Sequence, residues 1–271
     1  MQFVRSRLAA LTKLSVKPDC IVFDLEDSVR PEKKGRAREL VLDALNLGTI
    51  EKTVRINSIG SGFEEDDLKV ILQSPNVTSI HLPKTTSAHD VHTLEKYIEK
   101  IVGVEELRRR EAEATEPRII CLIESAMAML NLRSICESST RVDALAFASV
   151  DYTADANLVN QPDRKEFIIP RQWLAMHASA FELQAIDMVC VDVKNDAYLE
   201  EEALEGRYWG YTGKAAIHPR QVEIINKAFA PGEKEVTQAR RIVEGTGAFA
   251  LDGKMIDEPV RKAAEVCVIH R

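Results

Sequence analysis

The sequence predicts an α/β protein folded as a (β/α)8, or TIM, barrel with a C-terminal helical extension. Two observations lead there. Six short apolar runs each end in a charged or polar group: CIVFDLED (20–27), TVRIN (53–57), SIHLPK (79–84), IICLIE (119–124), ALAFASVD (144–151) and AAIHP (215–219). Amphipathic stretches at helical spacing lie between them. Short apolar runs bounded by polar residues read as strands buried on both faces, as in a parallel sheet. In a barrel of such strands the chemistry gathers at the strand ends. Asp24, Glu26, Asp27, Arg55, Asn57, Lys84, Glu124, Asp151 and His218 are therefore expected at one mouth.

The elements follow in order. Residues 1–18 carry Arg5, Arg7, Lys13 and Lys17 and no acid. They have the charge of a mitochondrial transit segment. Val4, Leu8, Leu11 and Leu14 on one face favour an amphipathic helix instead. After the strand near 20, residues 31–47 start with a proline and hold Ala37, Leu40, Val41, Ala44 and Leu45 at helical spacing. After the strand near 53 comes a short helix, 64–72, acidic at its start. The strand near 79 leads to a helix at 87–102, with Ser87 as cap and Asp90 three residues later. Residues 105–116 are a charge run, read as a solvated helix end and loop. Strands near 119, 144, 185 and 212 alternate with helices at 126–138, 170–182, 195–209 and 221–229. Seven strands are legible and a closed barrel needs an eighth. The barrel domain is taken as 1–230. Pro231-Gly232 breaks the pattern, and 231–271 is expected to act as a lid and subunit contact.

Composition narrows the partners. At 45% hydrophobic residues the 271-residue chain supports an ordinary core, and a net charge of −7 argues against nucleic acid. No apolar stretch approaches the ~20 residues of a membrane span. Cys20, Cys121, Cys136, Cys190 and Cys267 are scattered without a C-x-x-C pair, which fits reduced core cysteines of an intracellular protein.

Glu124 and Asp151 end consecutive strands and are the best metal pair, suited to Mg2+ with water and substrate completing its shell. The alternative is that each caps the next helix. Asp24, Glu26 and Asp27 repel one another unless a cation is near; they suit metal-bound waters or pairing with Arg55 and Lys84, or else an acid-rich helix start. Arg55, inside a strand, suits a bidentate clamp on a substrate carboxylate or a structural pair with Asp24 or Glu26. Lys84 reads as a charged lysine among acids rather than a Schiff-base nucleophile. His218, beside Pro219, reads as a residue that orients its loop, and Asp257 as a surface acid in the tail. No P-loop, G-x-S-x-G or dinucleotide fingerprint is present.

Seven segments, FDLEDSV (23–29), VRINS (54–58), LPK (82–84), LIESA (122–126), QAID (184–187), GYTGKAAIHP (210–219) and DGKMIDEP (252–259), together carry a resemblance. They resemble, in order and over about residues 19–262, the citrate lyase β-subunit-like acyl-CoA lyases of the HpcH/HpaI aldolase group, nearest its citramalyl-CoA (malyl-CoA) lyase-like branch. The resemblance implies a (β/α)8 barrel, a homotrimer, Mg2+ (Mn2+ as the alternative) and coenzyme A as part of the substrate. It assigns Glu124 and Asp151 as metal ligands and Arg55 as the substrate-carboxylate arginine. Asn57, Lys84 and Glu124 would contact substrate. Asp257 becomes the acid/base that reaches a neighbouring subunit's site. The implied reaction cleaves a 3-hydroxyacyl-CoA into acetyl-CoA and a 2-oxo acid, or runs in reverse. The implied compartment is the mitochondrial matrix in a eukaryote and the cytoplasm in a bacterium.

Three departures stand out. The strand ending in Val-Pro-Gly that opens family members is not legible here; it is the expected eighth strand, and its loop is expected to help hold coenzyme A. The stretch 244–247 is shorter than in relatives. Ala148-Ser149-Val150 replaces a Gly-rich approach to Asp151. Two rival readings are a CoA-independent class II aldolase on 4-hydroxy-2-oxo acids and a non-catalytic carrier-binding or scaffold subunit.

Overall fold

Parallel strands that alternate their side chains between two faces account for the architecture. The computed structural model describes residues 14–47 and 50–269. Strands β1 (Cys20–Asp24), β2 (Glu51–Arg55), β3 (Ser79–Leu82), β4 (Arg118–Ile123), β5 (Val142–Phe147), β6 (Gln184–Asp187) and β7 (Gly213–Lys214) form one sheet in chain order. Every neighbouring pair is parallel. The seven strands read from the sequence are thus all present as a half-barrel. Among the described residues no strand joins β1 to β7. The sheet curls, however, so that Asn226, in the helix after β7, donates to the carbonyl of Lys17 ahead of β1 at 3.2 Å. The expected helix ahead of β1 falls largely on residues 1–13, outside the described residues; residues 14–16 form a bend.

The helices between strands are α1 (Lys34–Leu45), α2 (Glu64–Ile71), α3 (Ala88–Val102), α4 (Val104–Ala112), α5 (Ala126–Leu130), α6 (Leu132–Cys136), α7 (Ser149–Asp155), α8 (Ile168–Ala180), α9 (Asp196–Tyr208) and α10 (Gln221–Phe229). Ser87 and Asp90 form the expected capping box on α3. Two elements differ from the sequence reading. The charge run is a helix, α4, because Gly103 at φ 86° restarts the chain, Leu107 buries one face, and Arg109 and Arg110 pair with Glu106 one turn back. The single helix expected at 126–138 breaks at Asn131, whose side-chain amide is drawn to the carbonyl of Thr86 at 2.8 Å.

Two faces of the sheet are filled differently. The main core lies between sheet and helices, with Leu25, Val54, Ile56, Ile80, Leu82, Ile119, Cys121, Ile123, Leu145 and Phe147 facing outward onto them. The inner face holds only a small apolar group of Ile120, Leu122 and Ala144 with Ala146 and Ile186. All five cysteines are free thiols, three of them buried, as expected of core cysteines. No helix among the described residues is long and apolar enough to cross a membrane. The tail folds as α11 (Glu233–Val243), an antiparallel hairpin of β8 (Phe249–Leu251) and β9 (Lys254–Ile256), and α12 (Glu258–Ile269). It has its own small core of Ala239, Ile242, Ile256 and Ala264, and an Arg207–Glu235 ion pair at 2.9 Å ties it to α9.

On the helix side of the sheet, at the ends of β6 and β7, lies a buried ionic network. Arg171 on α8, fully buried, grips Asp187 at 2.7 and 3.0 Å and also meets Glu205. Lys214 donates to Glu202 and to the carbonyl of Met188, both at 2.6 Å. Gly206 is required here: a Cβ would stand 2.4 Å from Asp187 Oδ2. Removing one partner of such a network leaves an uncompensated buried charge. We expect Arg171→Met to lower the stability of the folded chain by about 3–5 kcal/mol in urea unfolding; a change under about 1 kcal/mol would show that Asp187 and Glu205 do not depend on it.

Candidate active site

Strand periodicity alone gathers the first three side chains. Phe23 and Leu25, Val54 and Ile56, and Ile119, Cys121 and Ile123 face the helices. Asp24, Arg55 and Glu124 alternate with them and so stand on the inner face at the C-terminal ends of β1, β2 and β4. Register brings Asp24 opposite Arg55, and Arg55 opposite His81. Arg55 binds Asp24 through two parallel hydrogen bonds of 2.7 and 2.8 Å. Its other terminal nitrogen lies 3.2 Å from Glu26. Burial works to raise the Asp24 carboxyl, but the Arg55 hydrogen bonds and charge outweigh it and hold the group at about 2. Asp24 also accepts the backbone N–H groups of Glu26 and Ser28, which turns the acidic loop back over the strand end.

The next group is less satisfied. Glu26 is buried, and among the described residues neither carboxylate oxygen has a hydrogen-bond partner. Its neighbours are charges without hydrogen-bond geometry, Arg55 and the Lys84 ammonium, the latter at 3.4 Å. Burial is the main reason its pKa is raised; the Asp27 charge adds to this, while Arg55 and Lys84 oppose it. Asp27 is exposed, 3.8 Å from Lys84. Lys84 itself lies two residues past β3 in a left-handed conformation, φ 52°, which costs a non-glycine residue about 1 kcal/mol or more. That twist aims its N–H at Glu124 Oε1, 3.0 Å away. Glu124, also buried, is pushed up to about 7, first by burial and then by the Asp151 and Glu26 charges, against the Lys84 hydrogen bond.

Asp151 reaches this group from a different element than expected. The strand stops at Phe147, Ala148 turns the chain, and Asp151 lies in the first turn of α7. His218 likewise does not end a strand: β7 closes at Lys214, and His218 sits on an exposed turn. Its ring accepts the Arg220 N–H at 3.2 Å, the loop-orienting part read from the sequence. Asn57 is buried, its amide spent on Leu25 O, Asp67 and Lys34. Asp257 caps α12 through the Val260 N–H at 3.3 Å, within the tail's own fold.

Sequence reasoning passed over Lys34, Asp67 and His81. Lys34 and Asp67 lie in amphipathic helices, where a charge normally faces water. His81 was visible within an apolar run, and its parity with Arg55 in the neighbouring strand was the available signal. Its ring meets Thr53 Oγ1 at 3.0 Å, and burial, helped by the Arg55 charge, pushes its pKa down to about 4, against the pull of Asp24.

The donor set fits a hard divalent cation. Glu124 and Asp151 offer carboxylate oxygens that repel each other, and the charge of the buried Glu26 adds to that repulsion. Among the described residues no set of three or more His, Cys, Asp or Glu is arranged to enclose an ion. The fit is therefore to an ion that keeps waters and substrate oxygens in its shell, as Mg2+ does.

Comparison with known proteins follows the same line. Residues 1–219 match the family model described as HpcH/HpaI aldolase/citrate lyase. The chain is 33% identical to the human mitochondrial citramalyl-CoA lyase, over 93% of this chain and 78% of that protein. It is 34% identical to the citrate lyase subunit beta of Haemophilus influenzae, over 98% and 94%. Among solved structures, the CitE protein of Mycobacterium tuberculosis in complex with magnesium, acetoacetate and coenzyme A superimposes with a TM-score of 0.78 at 26% identity, covering 98% of this chain and 92% of that one.

Glu124 and Asp24 give opposite pH dependences. A carboxyl raised from 4.5 to about 7 contributes stability that is complete below pH 4.5 and is lost as pH rises through 7. Asp24, lowered from 3.8 to about 2, contributes above pH 3.8 and stops contributing as pH falls through 2. Metal-free protein should therefore lose Glu124's contribution as pH rises from 4.5 to about 7, and Glu124→Gln should flatten that part of the urea-unfolding profile. An identical slope in both proteins would refute the assignment.

Proposed function

The chain belongs to the HpcH/HpaI aldolase/citrate lyase family, and from that premise we propose that it is a Mg2+-dependent acyl-CoA lyase. The substrate is a 3-hydroxyacyl-CoA of the citramalyl, malyl or citryl type, cleaved to acetyl-CoA and a 2-oxo acid or formed by the reverse condensation. The observation that carries the reading is Glu124: a buried carboxyl at a strand end, raised to about 7 in part by Asp151 and Glu26, with an arginine on the same inner face. Charge of that kind is stabilised by a cation from outside the chain.

Glu124 and Asp151 would hold Mg2+, which when bound supplies Lewis-acid polarisation of substrate oxygens. Arg55 keeps about a quarter of its side chain exposed and offers that edge to the substrate carboxylate or to the oxyanion that develops as the C–C bond breaks. Asp24 fixes the plane of the guanidinium by its two hydrogen bonds. Glu26 and Asp27 accept from bound water, and Lys84 offsets their charge at the rim. Asn57 acts beneath the site by bracing the acidic loop. Asp257, carried by the tail, gives a proton to the enolate of acetyl-CoA in a neighbouring subunit, or removes it in condensation. This reading includes a homotrimer, a (β/α)8 barrel closed by an eighth strand, and residues 231–271 as lid and subunit contact. It places the protein inside the cell, in the mitochondrial matrix of a eukaryote or the cytoplasm of a bacterium.

Malyl, citramalyl and citryl groups differ by a methyl or carboxymethyl, and a methylene-sized difference discriminates by only about 1–3 kcal/mol, so all three belong in one assay. Mg2+-dependent release of a 2-oxo acid and acetyl-CoA from at least one, abolished by EDTA, is the expected result. Release from 4-hydroxy-2-oxo acids alone would assign the protein to the CoA-independent aldolases. Asp257→Asn should fold and bind Mg2+ as the parent does while kcat falls by about 10²–10⁴; parent-like turnover would remove Asp257 from the mechanism.

A further inference from the structure

Lys34 opens α1 with only 6% of its surface exposed. Its ammonium has three N–H bonds and makes three hydrogen bonds: to the carbonyls of Leu25 and Glu26 at 2.9 and 3.1 Å, and to Asn57 Oδ1 at 2.5 Å. The Phe63 ring covers its remaining side at 5.2 Å. A buried cation satisfied by neutral dipoles gains little for stability compared with a hydrophobic side chain of the same size. It does have one property that no apolar residue offers: three donors converging on two successive peptide carbonyls and the next strand's end.

Those carbonyls belong to the acidic loop. Asn57 also donates to Leu25 O at 3.0 Å, and Asp67, fully buried, receives the Asn57 backbone N–H and side-chain amide at 2.8 and 2.6 Å. Arg38 fixes Asp67 from behind at 2.7 Å. A continuous chain, Arg38–Asp67–Asn57–Lys34, thus runs from α1 and α2 to the two peptide units that precede Asp27. The Leu25 N–H donates to Arg55 O at 2.9 Å, which closes the loop onto β2. With both carbonyls of 25 and 26 turned toward Lys34, the Glu26 side chain is left opposite Arg55 and Lys84, where neither of its oxygens finds a hydrogen bond among the described residues.

We infer that Lys34 is a positioning residue for the reaction: its buried ammonium fixes the peptide planes of Leu25 and Glu26 and so sets where the Glu26 carboxylate stands in the mouth, between the charges of Arg55 and Lys84. The inference rests on the lyase reading for its effect on turnover but not for its effect on the loop.

Lys34→Met and Lys34→Arg test it, each followed by hydrogen exchange, Mg2+ titration calorimetry and kinetics on the CoA-ester panel. Lys34→Met should speed exchange of the amides in residues 25–29 by about tenfold or more while leaving β4 and β5 protected. It should also lower kcat by about 10- to 100-fold, with KM changed far less, the size seen when groups that orient a site's ligands are removed. Lys34→Arg keeps the charge but not the geometry, and should show the same pattern more weakly; if Lys34→Met does not fold, Lys34→Arg decides. Unchanged exchange in residues 25–29 would overturn the positioning role, as would accelerated exchange with parent-like kcat. Should the parent cleave no CoA ester, the lyase reading fails while the exchange data still decide whether Lys34 holds the loop.

Discussion

The two-point contact between Arg55 and Asp24 is the constraint on which the mouth of this fold depends. Five carboxylates, Asp24, Glu26, Asp27, Glu124 and Asp151, share the ends of neighbouring elements with two cations, Arg55 and Lys84. Like charges at such range destabilise one another unless some are neutralised or protonated. Arg55 neutralises Asp24 outright, which frees the turn after β1 to bring Glu26 inward. Burial raises the Glu124 pKa first, and the unbalanced charges of Asp151 and Glu26 raise it further. Stability and chemistry thus meet in one pair: without Arg55, Asp24 loses its partner and Glu26 keeps only the more distant Lys84 ammonium.

Two buried ionic groups of the molecule, around Arg171 and around Glu26, show how differently the same side chains can be used. Around Arg171, the Asp187 carboxylate and the Lys214 ammonium are held by hydrogen bonds, and the rings of Trp209 and Tyr211 flank the guanidinium. That group lies on the helix side of the sheet and locks β6 and β7 to α8 and α9. Around Glu26 the charges meet without hydrogen bonds, on the inner side, at the strand ends. Buried polar atoms left without partners mark places where a fold has kept capacity for something else to bind.

Much of this was legible in the sequence because strands of a parallel sheet announce themselves as short apolar runs; that signal located β1 to β6, while the run read for the seventh strand, 215–219, begins just after β7 ends at Lys214. Asp24, Arg55, Lys84 and Glu124 were legible for the same reason, as the polar residues that end such runs. The signal misplaced Asp151 and His218 because an apolar run does not say where hydrogen-bonded pairing stops: Ala148, Ser149 and Val150 extend the pattern after the strand has become a helix, and Ile217 extends it past β7. Lys34 and Asp67 were invisible because their burial is tertiary. Each is buried by an element distant in sequence, and a charge in an amphipathic helix carries no local mark of that. Asn57 was located correctly, yet its commitment to Lys34 and Asp67 depends on those same two residues.

His81 has a consequence of a different kind. Its ring lies on the inner face, one strand from Arg55, and is held by Thr53. With a pKa near 4 it stays neutral throughout the range in which Glu124 changes charge. The charges that act on it are those of Arg55 and Asp24. The imidazole is therefore a native spectroscopic probe of the mouth: in isotope-enriched protein its nitrogen and carbon resonances will follow rearrangement of the Arg55–Asp24 pair on ligand entry, uncontaminated by titration of the probe itself and with no foreign group introduced into the site.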